Sequence, residues 1–149
     1  MKTEKGFREE FSFLSNFRSF ETPLKGEGLS FPSNEHFYIA MKTVNQDIRK
    51  QVAEHPPKGL KKFGRSFPIR NDWEDIKLQV MEYGLRWKFS RSNPSLRSKL
   101  ISTSGYELIE YNWWDDKFWG VCLKTGEGEN HLGKLLMKVR DDIIKEEKT

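Results

Sequence analysis

The chain has 149 residues, 36% hydrophobic and 32% charged, with a formal net charge of +4 at pH 7. That length suits one compact domain spanning 1–149 with a core of its own, and 11 Phe, 5 Trp and 4 Tyr argue against disorder. No apolar run approaches the roughly 20 residues a membrane span needs, MKTEKGFREE has no signal-peptide character, and Cys122 as the only cysteine leaves no intramolecular disulfide, so a cytoplasmic protein is expected.

The charge is segregated. Residues 42–70 hold eight Lys/Arg against two acids, and residues 86–99 hold five against none. The two windows sum to +11, leaving −7 on the rest of the chain. A basic face for phosphate or nucleic acid is one reading; a solvated helix surface is the other.

In chain order, residues 7–31 alternate aromatics with turn formers (Pro23, Gly26, Gly28) and predict short strands and loops. Ser33 reads as an N-cap for a helix over 34–43 with Glu35 in its first turn. A short helix is predicted over 46–54, and Pro57 suits the first turn of another that ends at Gly64. The clearest helix is 73–90, capped by Asp72, with Trp73, Ile76, Val80, Gly84 and Trp87 on its apolar stripe. Asn93-Pro94 opens the next helix, through Leu96, Leu100 and Ile101. Residues 106–111 and 118–123 read as extended, and a last helix over 131–146, with Asn130 at its cap, buries Leu132, Leu135, Leu136, Val139 and Ile143. The fold class is therefore α+β, mainly helical, with short strands near residues 7–31 and 106–123.

His36, His55, His131 and Cys122 show no zinc-ligand spacing, and there is no Walker loop, dinucleotide fingerprint or nucleophile elbow. No metal and no cofactor are implied. The T-G-E-G-E-N stretch before the last helix could hold phosphate on its N–H groups or be an ordinary loop. Glu35, Ile39 and Lys42 share one helical stripe, because seven residues are nearly two turns. Such a carboxylate and amine could polarise water or attack an electrophilic carbon; equally, they could be a glutamate favoured by the helix dipole and a surface lysine. The rings of YNWWDDKFWG (111–120) either close the core or stack on a planar base.

Eight ordered blocks resemble one family: FSFLSNF (11–17), FPSNEHFYIAMK (31–42), KKFGR (61–65), RNDWEDIKLQVM (70–81), LRWKF (85–89), LISTSGYELIEYN (100–112), DKFWG (116–120) and ENHLGKLLMKVR (129–140). The chain is similar to the NADAR, or YbiA-like, proteins, which include N-glycosidases acting on intermediates of riboflavin biosynthesis. The resemblance implies a YbiA-like fold and hydrolysis of the bond between a nucleobase-like ring and a phosphorylated ribose, of the 5-amino-6-ribosylaminouracil phosphate type. An alternative substrate is ADP-ribosylated guanine in nucleic acid, and an alternative of another class is a non-catalytic module that binds ADP-ribose or nucleic acid. Glu35 resembles the family's essential carboxylate, Lys42 a lysine that engages the ribose anomeric carbon, and Asp116 a further catalytic acid. Ser15, Asn16, Phe17, Arg65, Trp73, Trp119, Gly120, Asn130, Gly133 and Arg140 are the substrate-binding residues the resemblance implies. After W-G the chain departs from the family, with Val121-Cys122-Leu123-Lys124 where a glycine-rich continuation is common. Retention of Glu35, Lys42 and Asp116 together favours an enzyme over a binding module.

Overall fold

The computed structural model describes residues 6–149; Met1–Lys5, and with them the start of the MKTEKGFREE segment read for a leader, lie outside the described residues. Two compact units emerge, one of residues 16–93 and one of residues 94–149 with the N-terminal segment through Ser15. Among the described residues no helix is long and apolar enough to cross a membrane.

The 16–93 unit begins with an antiparallel hairpin, β1 (Ser19–Gly26) and β2 (Leu29–Ser33). Its two-residue turn, Glu27-Gly28, has φ of +51° and +79°, both left-handed, which matches the twist of the flanking strands. Leu24 and Phe31 pair across the hairpin and are both buried. Ser33 then caps α1 (Asn34–Ala40) as expected, its hydroxyl accepting the His36 N–H at 3.3 Å. Helix α1 is buried along its whole length and stops three residues short of the predicted end. The Lys42 N–H bonds the Ile39 carbonyl at 3.1 Å, a tighter turn that ends the helix before Lys42.

Helix α2 (Gln46–Glu54) has the predicted bounds, with Asn45 as its cap at 3.0 Å to the Ile48 N–H. Helix α3 (Leu60–Gly64) ends where expected but starts later than Pro57, because Gly59 takes a left-handed φ of +81° that no helix interior contains. Gly64 lets α3 sit against α1: a Cβ there would come within 2.9 Å of the Ile39 side chain.

Helix α4 (Trp73–Lys88) differs from expectation in cap and in register. The Asp72 carboxylate makes no cap and is taken by the Arg70 guanidinium at 2.6 and 3.1 Å. The buried residues are Trp73, Met81, Gly84, Leu85 and Lys88, while Ile76, Val80 and Trp87 are half-buried. Gly84 decides this register. A Cβ there would meet the Asn34 carboxamide at 1.7 Å, so α1 and α4 approach as closely as a missing side chain permits.

The register buries Lys88 completely, its ammonium 5.3 Å from the centroid of Phe89. Burial, aided by the positive charge of Arg18, pushes its pKa down from 10.5 to about 7. Between those values the unfolded chain binds the proton that the folded chain releases, so stability rises with pH. From pH 7 to pH 9 this group is expected to add roughly 2 kcal/mol. Denaturant titration at the two pH values checks it: Lys88→Met should lose that rise, and a parallel pH dependence in both proteins would contradict it.

In the second unit a 3-10 helix (Glu9–Leu14) stands where strands and loops were predicted, and buries Phe13 and Leu14. Helix α5 (Pro94–Ile101) follows. The extended segments shrink to two residues each, β3 (Tyr111–Asn112) and β4 (Val121–Cys122), paired in parallel. Helix α6 (His131–Glu147) buries Leu132, Gly133, Leu136, Val139, Arg140 and Ile143; Leu135 is half-buried. Asn130 precedes it as predicted but makes no side-chain cap. The α+β, mainly helical reading therefore holds, with less strand than expected.

Candidate functional site

The Glu35–Lys42 pair lies in the 16–93 unit, where α1 runs into its terminal turn. Glu35 is buried at 8% exposure in the first turn of α1, where the helix dipole favours its charge. Its N–H donates to the Asn16 carbonyl at 2.9 Å, and the Asn16 carboxamide oxygen accepts from Asn34 at 3.1 Å. Asn16 thus fixes the start of the helix that carries the carboxylate.

Lys42, half-buried just past α1, places its ammonium 5.4 Å from the centre of the Tyr38 ring. The Tyr38 ring packs edge-on against Trp73, centroids 5.0 Å apart. Arg70 secures the turn, its N–H donating to the Lys42 carbonyl at 2.8 Å. Desolvation lowers the Lys42 pKa below its ordinary value; Glu35 opposes that shift, and Arg65, Lys61 and Lys77 reinforce it. One carboxylate and three further cations therefore act on a partly desolvated amine. Lys61, whose ammonium is 5.6 Å from the Phe17 ring centroid, and Lys77, which pairs with Glu74 at 2.9 Å, were not among the residues expected from sequence. Both lie in blocks that carry the resemblance, KKFGR and RNDWEDIKLQVM, which was the available signal.

His36, next to Glu35, is held on both ring nitrogens, by the Ser33 hydroxyl and the His55 carbonyl, each at 2.7 Å. Burial lowers its pKa, so a neutral ring tying α1 to the end of α2 is its role in the fold.

A model of the NADAR domain matches residues 3–144. The chain belongs to the NADAR domain family. It is 33% identical over 138 residues to the N-glycosidase YbiA of Escherichia coli strain K12, covering 91% of this chain and 83% of that protein. The NMR structure of the E. coli protein YbiA superposes with a TM-score of 0.80 at 33% identity, covering 93% of this chain and 82% of the other. The riboflavin biosynthesis protein PYRR, chloroplastic, of Zea mays is 37% identical over 150 residues, which span 90% of this chain but 24% of that protein.

Of the residues that the NADAR resemblance singled out, Asn16, Phe17, Glu35, Lys42, Arg65 and Trp73 fall in the 16–93 unit, around or beside the charge cluster. Ser15, Asp116, Trp119, Gly120, Asn130, Gly133 and Arg140 belong to the other unit, where most already hold structural bonds. The Ser15 N–H closes the 3-10 helix on the Ser12 carbonyl at 3.0 Å. Asp116 accepts the Phe118 and Trp119 N–H groups at 3.1 and 3.0 Å, which fixes the turn carrying Trp119. Asn130 bridges the Leu108 carbonyl and the Glu110 N–H, and Arg140 donates to the Thr103 and Tyr106 carbonyls, both at 2.9 Å. Gly120 and Gly133 are close-approach positions, where a Cβ would lie 2.0 Å from the Glu110 and Leu108 carbonyl oxygens.

In the T-G-E-G-E-N stretch the N–H groups of Gly126, Glu129 and Asn130 bond carbonyls of their own unit, which favours an ordinary loop over a phosphate cradle. Trp113 and Trp114 are 56% and 54% exposed, so these two rings do not close the core. Among the described residues no group of His, Cys, Asp and Glu is arranged to hold a metal ion.

Trp73 is only 5% exposed, and its ring reaches the lysine through Tyr38. Trp73→Phe is expected to cost no more than about 1.5 kcal/mol of stability, yet to loosen Tyr38 and rehydrate Lys42. The Lys42 pKa should then rise, moving the acid limb of the kcat/KM profile to higher pH. An unmoved limb would return Trp73 to a purely core role.

Proposed function

We propose that this chain hydrolyses the N-glycosyl bond between a nucleobase-like ring and a phosphorylated ribose, with Lys42 and Glu35 as its catalytic pair. Membership of the NADAR family and the N-glycosidase name of its relatives support the reaction class. The observation that carries the residue assignment is the partly desolvated Lys42 amine, coupled to one carboxylate and three cations.

A lysine with a lowered pKa keeps a larger fraction of free amine near neutral pH, and the amine is the nucleophile. Its lone pair attacks the anomeric carbon as the carbon–nitrogen bond to the base breaks, and the base leaves with a proton. Ring opening then transfers the sugar ring oxygen to a hydroxyl and leaves an imine between Lys42 Nζ and the former anomeric carbon. Water hydrolyses that imine, freeing the sugar phosphate and restoring the amine. Glu35 accepts the proton released when the amine adds and returns it to the departing base. Arg65, Lys61 and Lys77 supply the positive field for a phosphate, with the Arg65 fork suited to two of its oxygens. The resemblance implies Asp116 as a second carboxylate and Trp119 as a ring for the base; in their own unit the Asp116 carboxylate holds the turn that carries Trp119. Ser15, Gly120, Asn130, Gly133 and Arg140 serve in this proposal by holding the backbone of their own unit.

Mass spectrometry of the products tests the substrate class. A phosphorylated ribosylaminouracil should yield free base and ribose phosphate. Release of guanine-linked ADP-ribose from modified nucleic acid, with no cleavage of the uracil compound, would replace this substrate by the other.

A further inference from the structure

The 16–93 unit contains a pocket of about 350 Å³ that the proposed chemistry does not use. The hairpin, α1 and α4 wall it with Phe31, Phe37, Met41, Val80 and Tyr83, and its volume lies within the usual range of small-molecule sites. Phe37 stands about 160° around α1 from Glu35, and Met41 lies just past the end of that helix. Two features make it more than a packing defect. Tyr83 is 64% exposed although its ring leans on Phe37 at 5.6 Å and 31°, which leaves an aromatic wall half uncovered. Arg49 lines the same pocket, and its side chain is only 11% exposed.

The bonding of Arg49 says what the pocket lacks. Its Nε is well placed, 2.8 Å from the Thr43 carbonyl. Its terminal nitrogen reaches Glu27 and Gln46 only at 3.4 Å each, and Glu27 is 66% exposed. A charge-assisted bond closes to about 2.7–2.9 Å, so the Nη1 end of this guanidinium, unlike its Nε, makes long contacts although the Arg49 side chain is largely buried. Lys25 lines the pocket as well, making two cations against the single acid Glu27.

We propose that this pocket is a second binding site, for a planar aromatic compound bearing one anionic group. The ring lies along Phe37 and Tyr83, and the anionic group pairs with Arg49 in place of the distant Glu27. Its lining includes none of Glu35, Lys42, Lys61, Arg65 and Lys77, so the site is separate from the one proposed to cleave the glycosyl bond.

The probes are anilinonaphthalene sulfonate and its neutral parent, phenylnaphthylamine, titrated into the folded full chain carrying methyl-labelled methionine. The sulfonate should bind saturably at one site and shift the Met41 methyl signal while leaving the Met81 and Met137 signals in place. It should bind at least tenfold more tightly than the neutral parent. Arg49→Gln should erase that preference, and Val80→Trp, which fills the pocket, should abolish binding of both. No saturable shift of Met41, equal affinity for the two probes in the unaltered protein, or a preference that survives in Arg49→Gln would each overturn the proposal.

Discussion

Glu35→Gln is expected to lower kcat/KM by two decades or more, about 3 kcal/mol of transition-state stabilisation, while leaving the fold intact. Glutamine keeps the shape of a side chain that is 8% exposed, and the backbone bond from residue 35 to Asn16 remains. The sign of the coupling to Lys42 makes the result informative. Glu35 raises the Lys42 pKa, so its removal lowers that pKa further and leaves more free amine at neutral pH. If the carboxylate only tuned the lysine, the variant would hold its activity or gain. A loss of a hundredfold, with the acid limb of the pH profile moved to lower pH, identifies Glu35 as the group that carries the proton. Unchanged turnover in a well-folded variant would remove it from the mechanism.

Lys42→Arg is expected to be at least as damaging, with the loss in kcat and little change in KM. The guanidinium keeps the positive charge beside Tyr38 and still attracts a phosphate, but it does not deprotonate and is no nucleophile. An interaction made only in the transition state appears in this split. Had Lys42 merely held the phosphate, arginine would substitute with kcat preserved. Steady-state kinetics at saturating substrate decides between the two.

The parts of the molecule legible from sequence are those with local causes. Ser33 caps α1 because a hydroxyl three residues before a backbone N–H can reach it, and nothing distant competes. The bounds of α2 and the core stripe of α6 follow from periodicity in the same way. The structure departs from local spacing where tertiary contacts prevail. Asp72 has the right spacing for a cap, but the Arg70 fork two residues earlier binds its carboxylate more strongly. Periodicity places Trp87 in the last buried turn of α4, but the close approach of Asn34 to Gly84 sets a register that buries Lys88 instead. Spacing predicts Lys42 in the body of a helix that in fact ends at Ala40, yet the lysine still feels the charge of Glu35, because the closing turn continues the curl of the chain. Lys61 and Lys77 are illegible in the sequence for a different reason. Their relation to Lys42 depends on where α3 and α4 settle against α1, and no spacing along the chain encodes that.

Borohydride trapping bears most directly on the central claim. With the phosphorylated ribosyl substrate turning over in the presence of borohydride, the account predicts irreversible inactivation and a mass increase equal to the reduced sugar phosphate on the peptide containing Lys42. The same treatment of Lys42→Arg should leave that peptide unmodified. Full turnover without any trapped adduct, together with an active Lys42→Arg protein, would contradict the account and leave water activated by Glu35 as the nucleophile.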